Sequence, residues 1–313
     1  MKKVMVIGAS GGIGQAIVKE LAERNVDVVA FARGKEKLEA LFADNQYVTI
    51  QQGDALNKRE LELGMLGVDV IIHALNIPYS KWEDNLEKIM RNVVEIAKRY
   101  QAKLGIVDNI YGYGRGSEKK ITEASPKYPH TKKGKIRLEL EEIVKKSGVE
   151  ALFAYFPDFY GPGAEKSMLH YLFVGVANNK MSFFIGDPTV KREYIYTLDG
   201  AKAMVTLVEK PDAYGQGWNI PATDVISGNE IIEFMRQEEG FTKKVWTVKK
   251  GILTLLGFFD EDVKEVVEML YLTETPVVLS GEKYEKYIGS LPRTSYKDGM
   301  KRTIPSYKTN IEK

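Results

Sequence analysis

Along the N-terminal half of the chain, short β-branched runs alternate with stretches whose apolar positions recur three and four residues apart. Val4, Val6 and Ile7 read as a strand, and Ile13, Ile17 and Leu21 then share one face of a helix. Val26 to Phe31 is a continuous apolar run, the pattern of a parallel strand buried on both faces. Val48-Thr49-Ile50 predicts a third strand, followed by a helix near Asn57 to Met65. Val68 to Leu75 predicts a fourth and Leu104 to Val107 a fifth. Between these two lies a long helix, Trp82 to Tyr100, with Leu86, Ile89, Met90, Val93, Ile96 and Ala97 on a face suited to the core or to a second copy. A helix near Thr131 to Lys146 and a strand at Ala151 to Tyr155 complete the series. Strands alternating with helices through short links predict an α/β fold, a doubly wound parallel sheet with ligands at the carboxyl ends of its strands.

The first strand stops in GASGGIG, Gly8 to Gly14, and a helix opens there. Backbone N–H groups left free at a helix start, with the positive end of its dipole, suit a pyrophosphate. Gly8 permits the turn, Gly11 clears the phosphate's approach, and Gly14 lets helix and strand pack closely. With Ser10, Gly12 and Ile13 these residues form the expected dinucleotide cradle, and the sheet is then a Rossmann fold. At the tip of the second strand an acidic residue would bond the ribose 2′-hydroxyl of NAD, whereas Arg suits a 2′-phosphate. The chain has Arg33 there, with Lys35 and Lys37 close by, which favours NADP(H) and leaves NAD(H) open. Asp54 ends the third strand, either accepting the adenine amino group or capping the next helix. Ala74 and Asn76, at the end of the fourth, lie over the expected cofactor.

Composition narrows the partners. The 313 residues carry 45 basic and 43 acidic side chains, a net charge of +2 that favours neither nucleic acid nor a membrane surface. There is no cysteine, hence no disulfide or thiol nucleophile. No apolar run approaches bilayer length, and the first strand begins by Lys3, leaving no room for a signal peptide. These features lead us to expect a cytoplasmic protein. Three histidines, His73, His130 and His170, give no metal-ligand spacing, and His73 inside an apolar strand reads as a core residue. After residue 156, glycine and proline punctuation at Gly161-Pro162-Gly163 and Gly186-Asp187-Pro188 predicts a second, smaller region, 157–313, that binds a small-molecule substrate. A strand near 216–221 is expected to return to the sheet. Met168 to Ala177, apolar nearly all round, is expected to be buried or to meet a partner. Asp199 is expected to cap the helix Ala201 to Val208. Gly251 to Phe259 is expected to cover the pocket or to form a partner surface.

GASGGIG, Gly53-Asp54, Ile110-Tyr111-Gly112, Phe159-Tyr160-Gly161-Pro162-Gly163, the segment Arg192 to Asp199 and Gly217-Trp218-Asn219-Ile220 together resemble the extended short-chain dehydrogenase/reductase family, the NAD(P)-dependent sugar epimerase/dehydratases. The resemblance covers roughly Lys3 to Glu233. It implies a hydride exchanged with bound nicotinamide, a Tyr-x-x-x-Lys pair on a helix, and a Ser or Thr at the end of the fifth strand. In that pair the Lys lowers the phenol's pKa.

The catalytic pair has two readings in this chain. Tyr128-Pro129-His130-Thr131-Lys132 is a literal Tyr-x-x-x-Lys, but Pro129 holds Tyr128 in an extended conformation ahead of the helix. The family's flanking landmarks, matched by Glu123, Pro129, Gly134 and Glu141, instead put Lys133 in the Tyr place and Arg137 in the Lys place; we favour this register. Lys133, Arg137 and Glu141 then make an i, i+4, i+8 row, and Asp108 or Asn109 occupies the Ser place. Arg stays protonated and cannot act as a phenol does. Tyr111 and Tyr160 precede glycines and either line the pocket or pack the turns. Arg192 either meets an anionic substrate such as a nucleotide diphosphate or starts a strand at the surface. Two functions follow. One is an oxidoreductase or epimerase/dehydratase acting on a small hydroxyl or carbonyl compound, nucleotide-linked or free, with Tyr128 or a group near Lys133 handling the proton. The other is an NADP(H)-binding sensor on the same fold, and a homodimer is open in either case.

Overall fold

The computed structural model describes residues 1–165 and 167–308. The first half runs β1 (Lys3–Ile7), α1 (Gly12–Glu23), β2 (Asp27–Ala32), α2 (Lys35–Phe42), β3 (Val48–Gln52), α3 (Lys58–Glu62), β4 (Val70–His73), α4 (Trp82–Tyr100), β5 (Lys103–Asn109), α5 (Lys132–Ser147) and β6 (Ala151–Phe156). Then follow β7 (Asp158–Tyr160), α6 (His170–Ala177), β8 (Ser182–Ile185), β9 (Arg192–Tyr196), α7 (Thr197–Glu209), β10 (Gly217–Asn219), β11 (Val225–Ile226), α8 (Gly228–Glu239) and β12 (Val245–Val248). The chain closes with α9 (Lys250–Leu256), α10 (Glu261–Val267), α11 (Glu282–Tyr287) and α12 (Tyr296–Thr303).

Seven strands form one sheet in the order β10-β6-β5-β4-β1-β2-β3, and every pairing in it is parallel. The architecture is the expected Rossmann sheet, with the order reversing beside β1. Side chains of β1, β2 and β4 alternate between two cores. Val4, Val6, Val28 and Ile72 face α1 and α7, whereas Met5, Ile7, Val29 and Ile71 face the side covered by α4 and α5. Both faces are thereby dry, which is why the strands read as unbroken apolar runs. The apolar face of α4 is spent on this core: Leu86, Ile89, Met90, Val93, Ile96 and Ala97 are all buried.

A third core gathers Tyr160, Leu172, Phe173, Phe184, Tyr194, Tyr196 and Met235 from β7, α6, β8, β9 and α8. Here Tyr160 takes the packing role of its two readings, and one expectation, for Asp199, is corrected. Tyr160 lines no opening: its ring packs on Phe173, Tyr196 and Tyr296, and a Cβ on Gly299 would come within 2.2 Å of its hydroxyl. Asp199 does not cap α7 but lies inside its first turn, where its carboxylate accepts from the Thr294 N–H at 2.6 Å and the Thr294 hydroxyl at 2.8 Å. The last part of the chain thus ties itself back to α7 through this carboxylate.

Candidate functional site

The glycine turn has the geometry that the sequence asks of it. Gly8 has φ +88°, and a Cβ on it would stand 2.6 Å from the Leu75 Cα; a Cβ on Gly14 would stand 2.1 Å from the Gly8 carbonyl oxygen. Gly11 is the N-cap of α1 and supplies no side chain to the first-turn N–H groups, which leaves those donors for a ligand. The residues present therefore fit a dinucleotide pyrophosphate. A second loop lies against the same helix start. A Cβ on Gly12 would meet the Ala164 backbone at 2.9 Å, and one on Gly163 would overlap the Gln15 amide at 1.5 Å. Gln15 and the Gly161–Ala164 loop are neighbours of the cradle that the glycine pattern alone does not reveal.

Around the cradle, Ser10 is half-buried and Ile13 buried, while Arg33 is exposed at the tip of β2, its carbonyl accepting from the Gln52 side chain at 3.1 Å. Asp54 is half-buried and accepts from the Leu56 N–H at 3.0 Å. It does not cap α3; the cap is Asn57, which accepts from the Arg59 N–H at 3.1 Å. Ala74 is buried, donating its N–H to the Ile7 carbonyl, and Asn76 is exposed beyond the end of β4.

At the carboxyl end of β5 the structure separates the two catalytic readings. Tyr128 is 77% exposed, and Lys132 pairs at the surface with Glu83, so the literal pair is not assembled within a pocket. The reason is the one Pro129 implies: α5 begins only at Lys132, capped by Thr131, whose hydroxyl accepts from the Gly134 N–H at 3.1 Å. Lys133, Arg137 and Glu141, by contrast, are all buried and share one face of α5. Lys133 pairs with Glu265 and, at 3.2 Å, with Glu268, and its ammonium lies 5.2 Å from the Tyr79 ring centre. Glu268 also accepts from the Lys133 N–H at 2.9 Å, closing the start of α5. Arg137 stands 3.5 Å from Asp108 and covers the Trp82 ring at 4.5 Å. Glu141 holds Lys127 and Lys145.

Burial pushes the Asp108 carboxyl above the usual carboxylate range, against the pull of Arg137. Asn109 caps the short turn after β5, accepting from the Tyr111 N–H at 3.0 Å. The Tyr111 hydroxyl shares a 2.6 Å hydrogen bond with that of Tyr79. Burial raises both phenols, Tyr79 to about 12. They are therefore protonated donors near neutral pH and not ready bases. Arg192 is buried and committed to Asp158, with one guanidinium nitrogen left unpartnered. Its expected role toward an anionic substrate is thus contested by a carboxylate of the chain itself. Among the described residues no group of histidine and carboxylate side chains is placed to hold a metal ion.

Asp158, Tyr79, Glu265 and Glu268 were not visible from sequence. The two glutamates lie more than a hundred residues beyond Lys133, so no local spacing marks them. The sequence shows Lys133 and Arg137 only as part of a charged row on α5, and it is their burial in the structure that calls for partners.

Comparison with known proteins completes the picture. The sequence profile of the NAD dependent epimerase/dehydratase family matches residues 4–220. The chain belongs to this family. Its members' NAD-dependent epimerase and dehydratase activities are enzymatic. The dTDP-glucose 4,6-dehydratase of Neisseria meningitidis is 21% identical across 99% of this chain and 94% of its own length. Among solved structures, the UDP-glucuronic acid 4-epimerase of Bacillus cereus in complex with NAD superposes with a TM-score of 0.80 at 19% identity, covering 98% of both chains. The NAD complex of dTDP-glucose 4,6-dehydratase from Bacillus anthracis gives 0.82 at 17% identity, covering 100% of this chain and 98% of that one. At these identities the structural matches speak for the fold, while the profile match carries family membership.

Proposed function

We propose that this family member is an NAD(P)-dependent oxidoreductase of the epimerase/dehydratase type, acting on a small hydroxyl or carbonyl compound. The observation that carries the reading is the uncapped start of α1 behind Gly8, Gly11 and Gly14, which supports a bound dinucleotide. Bound nicotinamide would supply hydride exchange. The α1 N–H groups would hold the pyrophosphate, and Arg33 would meet a 2′-phosphate, which makes NADP(H) the preferred form. Near the reacting end, the Tyr111–Tyr79 pair spends one hydroxyl proton on its mutual bond and can donate the other to a substrate oxygen. Asp108, with its raised proton affinity and Arg137 beside it, is the group best suited to exchange a proton. A nucleotide-linked substrate requires Arg192 to exchange Asp158 for a phosphate.

Titration with NADPH and NADH tests the cofactor assignment: NADPH should bind at least about tenfold more tightly, and Arg33→Asp should reverse the order. Equal affinities, or no change in Arg33→Asp, would sink it. A second reading, a dinucleotide-binding sensor without turnover, draws on a specific observation: Lys133 and Arg137, which the favoured register puts in the places of the family's Tyr and Lys, are both ion-paired. Reduction of any carbonyl in a broad panel by NADPH would eliminate the sensor. Binding without turnover across that panel would favour it.

A further inference from the structure

One stretch outside the cradle exposes several large apolar side chains in succession. On α9, Ile252, Leu255 and Leu256 fall at i, i+3 and i+4 and are 51%, 62% and 48% exposed, while Leu253 alone is buried in the fold. The turn that follows exposes Phe258 by 79% and Phe259 by 87%. Immediately upstream, Trp246 of β12 is 47% exposed beside Phe183 of β8, its register partner, and its indole N–H donates to the Met181 sulfur at 2.9 Å. Exposed apolar residues in such a run mark an interaction surface.

The charges that precede it along the chain, and Lys180 before β8, indicate what it meets. Lys180, Lys243, Lys244, Lys249 and Lys250 are exposed, and none of them forms an ion pair among the described residues. Lys244 lies over the Trp246 ring at 3.4 Å. Of the acidic residues that follow, Glu261 is exposed in the first turn of α10, while Asp260 caps α10, Asp262 bonds the Ser80 hydroxyl at 2.7 Å, and Glu265 and Glu268 hold Lys133. A second copy placed on this face by two-fold symmetry would bring lysine against lysine. A surface combining anionic headgroups with an apolar layer beneath satisfies both features at once. No described helix is long and apolar enough to cross a membrane, so the contact is peripheral.

We propose that residues 243–259 dock this protein on an anionic lipid surface, with Phe258, Phe259 and the outer stripe of α9 entering the acyl boundary and the lysines meeting the phosphates. The inference is independent of the reaction proposed above. The test is cosedimentation of the full chain with phosphatidylcholine vesicles and with mixed phosphatidylcholine–phosphatidylglycerol vesicles. The protein should sediment with the mixed vesicles only, and salt should release it, since lysine–headgroup attraction is screened. Phe258→Ser/Phe259→Ser and Lys243→Glu/Lys244→Glu should each lower the bound fraction about tenfold. All four side chains are exposed, so the circular dichroism spectrum and thermal midpoint should not move. Failure to sediment with mixed vesicles, equal binding to neutral ones, or undiminished binding in either variant would overturn the proposal. So would a dimer in sedimentation velocity that the phenylalanine variant dissociates, which would assign the face to a second copy.

Discussion

Two buried titratable residues outside the cradle make opposite contributions to stability. His73 is enclosed in β4 with neither ring nitrogen bonded, and burial lowers its pKa to about 4. Its favourable balance is complete above about pH 6.5 and is lost as pH falls toward 4. Glu193 in β9 accepts from the Ala222 N–H at 3.2 Å and the Leu279 N–H at 2.8 Å, yet burial raises it to about 7. Its balance is complete below its unfolded value and is lost as pH rises through 7. Each effect is worth at most roughly 3 kcal/mol. Between pH 7.5 and 5 they offset each other in the wild type. In urea unfolding, His73→Leu should therefore become more stable at the lower pH, and Glu193→Gln less stable. Parallel pH profiles for the two variants would refute the assignment. That His73 belongs to the core was legible from its apolar neighbours. The burial of Glu193 was not, because its partners Ala222 and Leu279 are brought to it by distant turns.

Among the elements, those formed by local pattern were the legible ones. The strands of the sheet, α1 and α4 follow from apolar periodicity, and α5 from the same pattern with Thr131 as its cap. Expected ends extended too far where no cap intervened: the helix near Asn57 to Met65 is only α3, Lys58–Glu62, and the fourth strand stops at His73. What covers the inward face of α5 was not legible, since periodicity reports that a face is covered and not by what. The charged row of α5 could as well have been solvated; in the structure Lys133 is buried against α10 and the turn after it, Arg137 against Asp108 and Trp82, and Glu141 against Lys127. No residue of α10 is fully buried, and it is attached through Glu265 to Lys133 and Asp262 to Ser80, with Glu268 of the next turn adding a further bond. A helix fastened mainly by polar contacts opens locally more readily than one with an apolar anchor. Lys133→Met removes the central pairing, and the two glutamates, already part-exposed, can hydrate. Amide exchange in α10 should accelerate about tenfold or more while exchange in β1 and β4 stays unchanged. Unaltered protection of α10 would show that Lys133 does not fasten it.

For the molecule as a whole, the expected boundary at residue 156 describes where glycine and proline punctuation begins, and it cuts through the packing of the sheet. The face of α1 bearing Ile17, Val18 and Leu21 shares its core with Ala201, Met204, Val205 and Val208 of α7. A Cβ on Gly105 of β5 would stand 2.5 Å from the Met204 methyl, so α7 lies directly on the sheet. Arg24, just after α1, bonds Glu209 at 2.7 Å and Thr206 at 3.2 Å. β10 adds Trp218, whose indole N–H donates to the Ala213 carbonyl at 2.8 Å, to the edge beside β6. The loop Gly161–Ala164 closes on Gly12 and Gln15 at the cradle itself. A fragment ending at residue 156 would leave the apolar surfaces facing Met204, Val205, Leu207, Val208 and Trp218 open to water. At roughly 2 kcal/mol for each such side chain, the loss is about 10 kcal/mol, as large as the whole stability of an ordinary domain. We therefore expect residues 1–156 alone to be collapsed without fixed packing, to bind a hydrophobic dye, and to show no measurable affinity for NADPH. Full-length protein should unfold in one cooperative transition that NADPH shifts upward. A fragment 1–156 with dispersed amide resonances and full-length NADPH affinity would show that the glycine turn and its sheet need nothing from the second half.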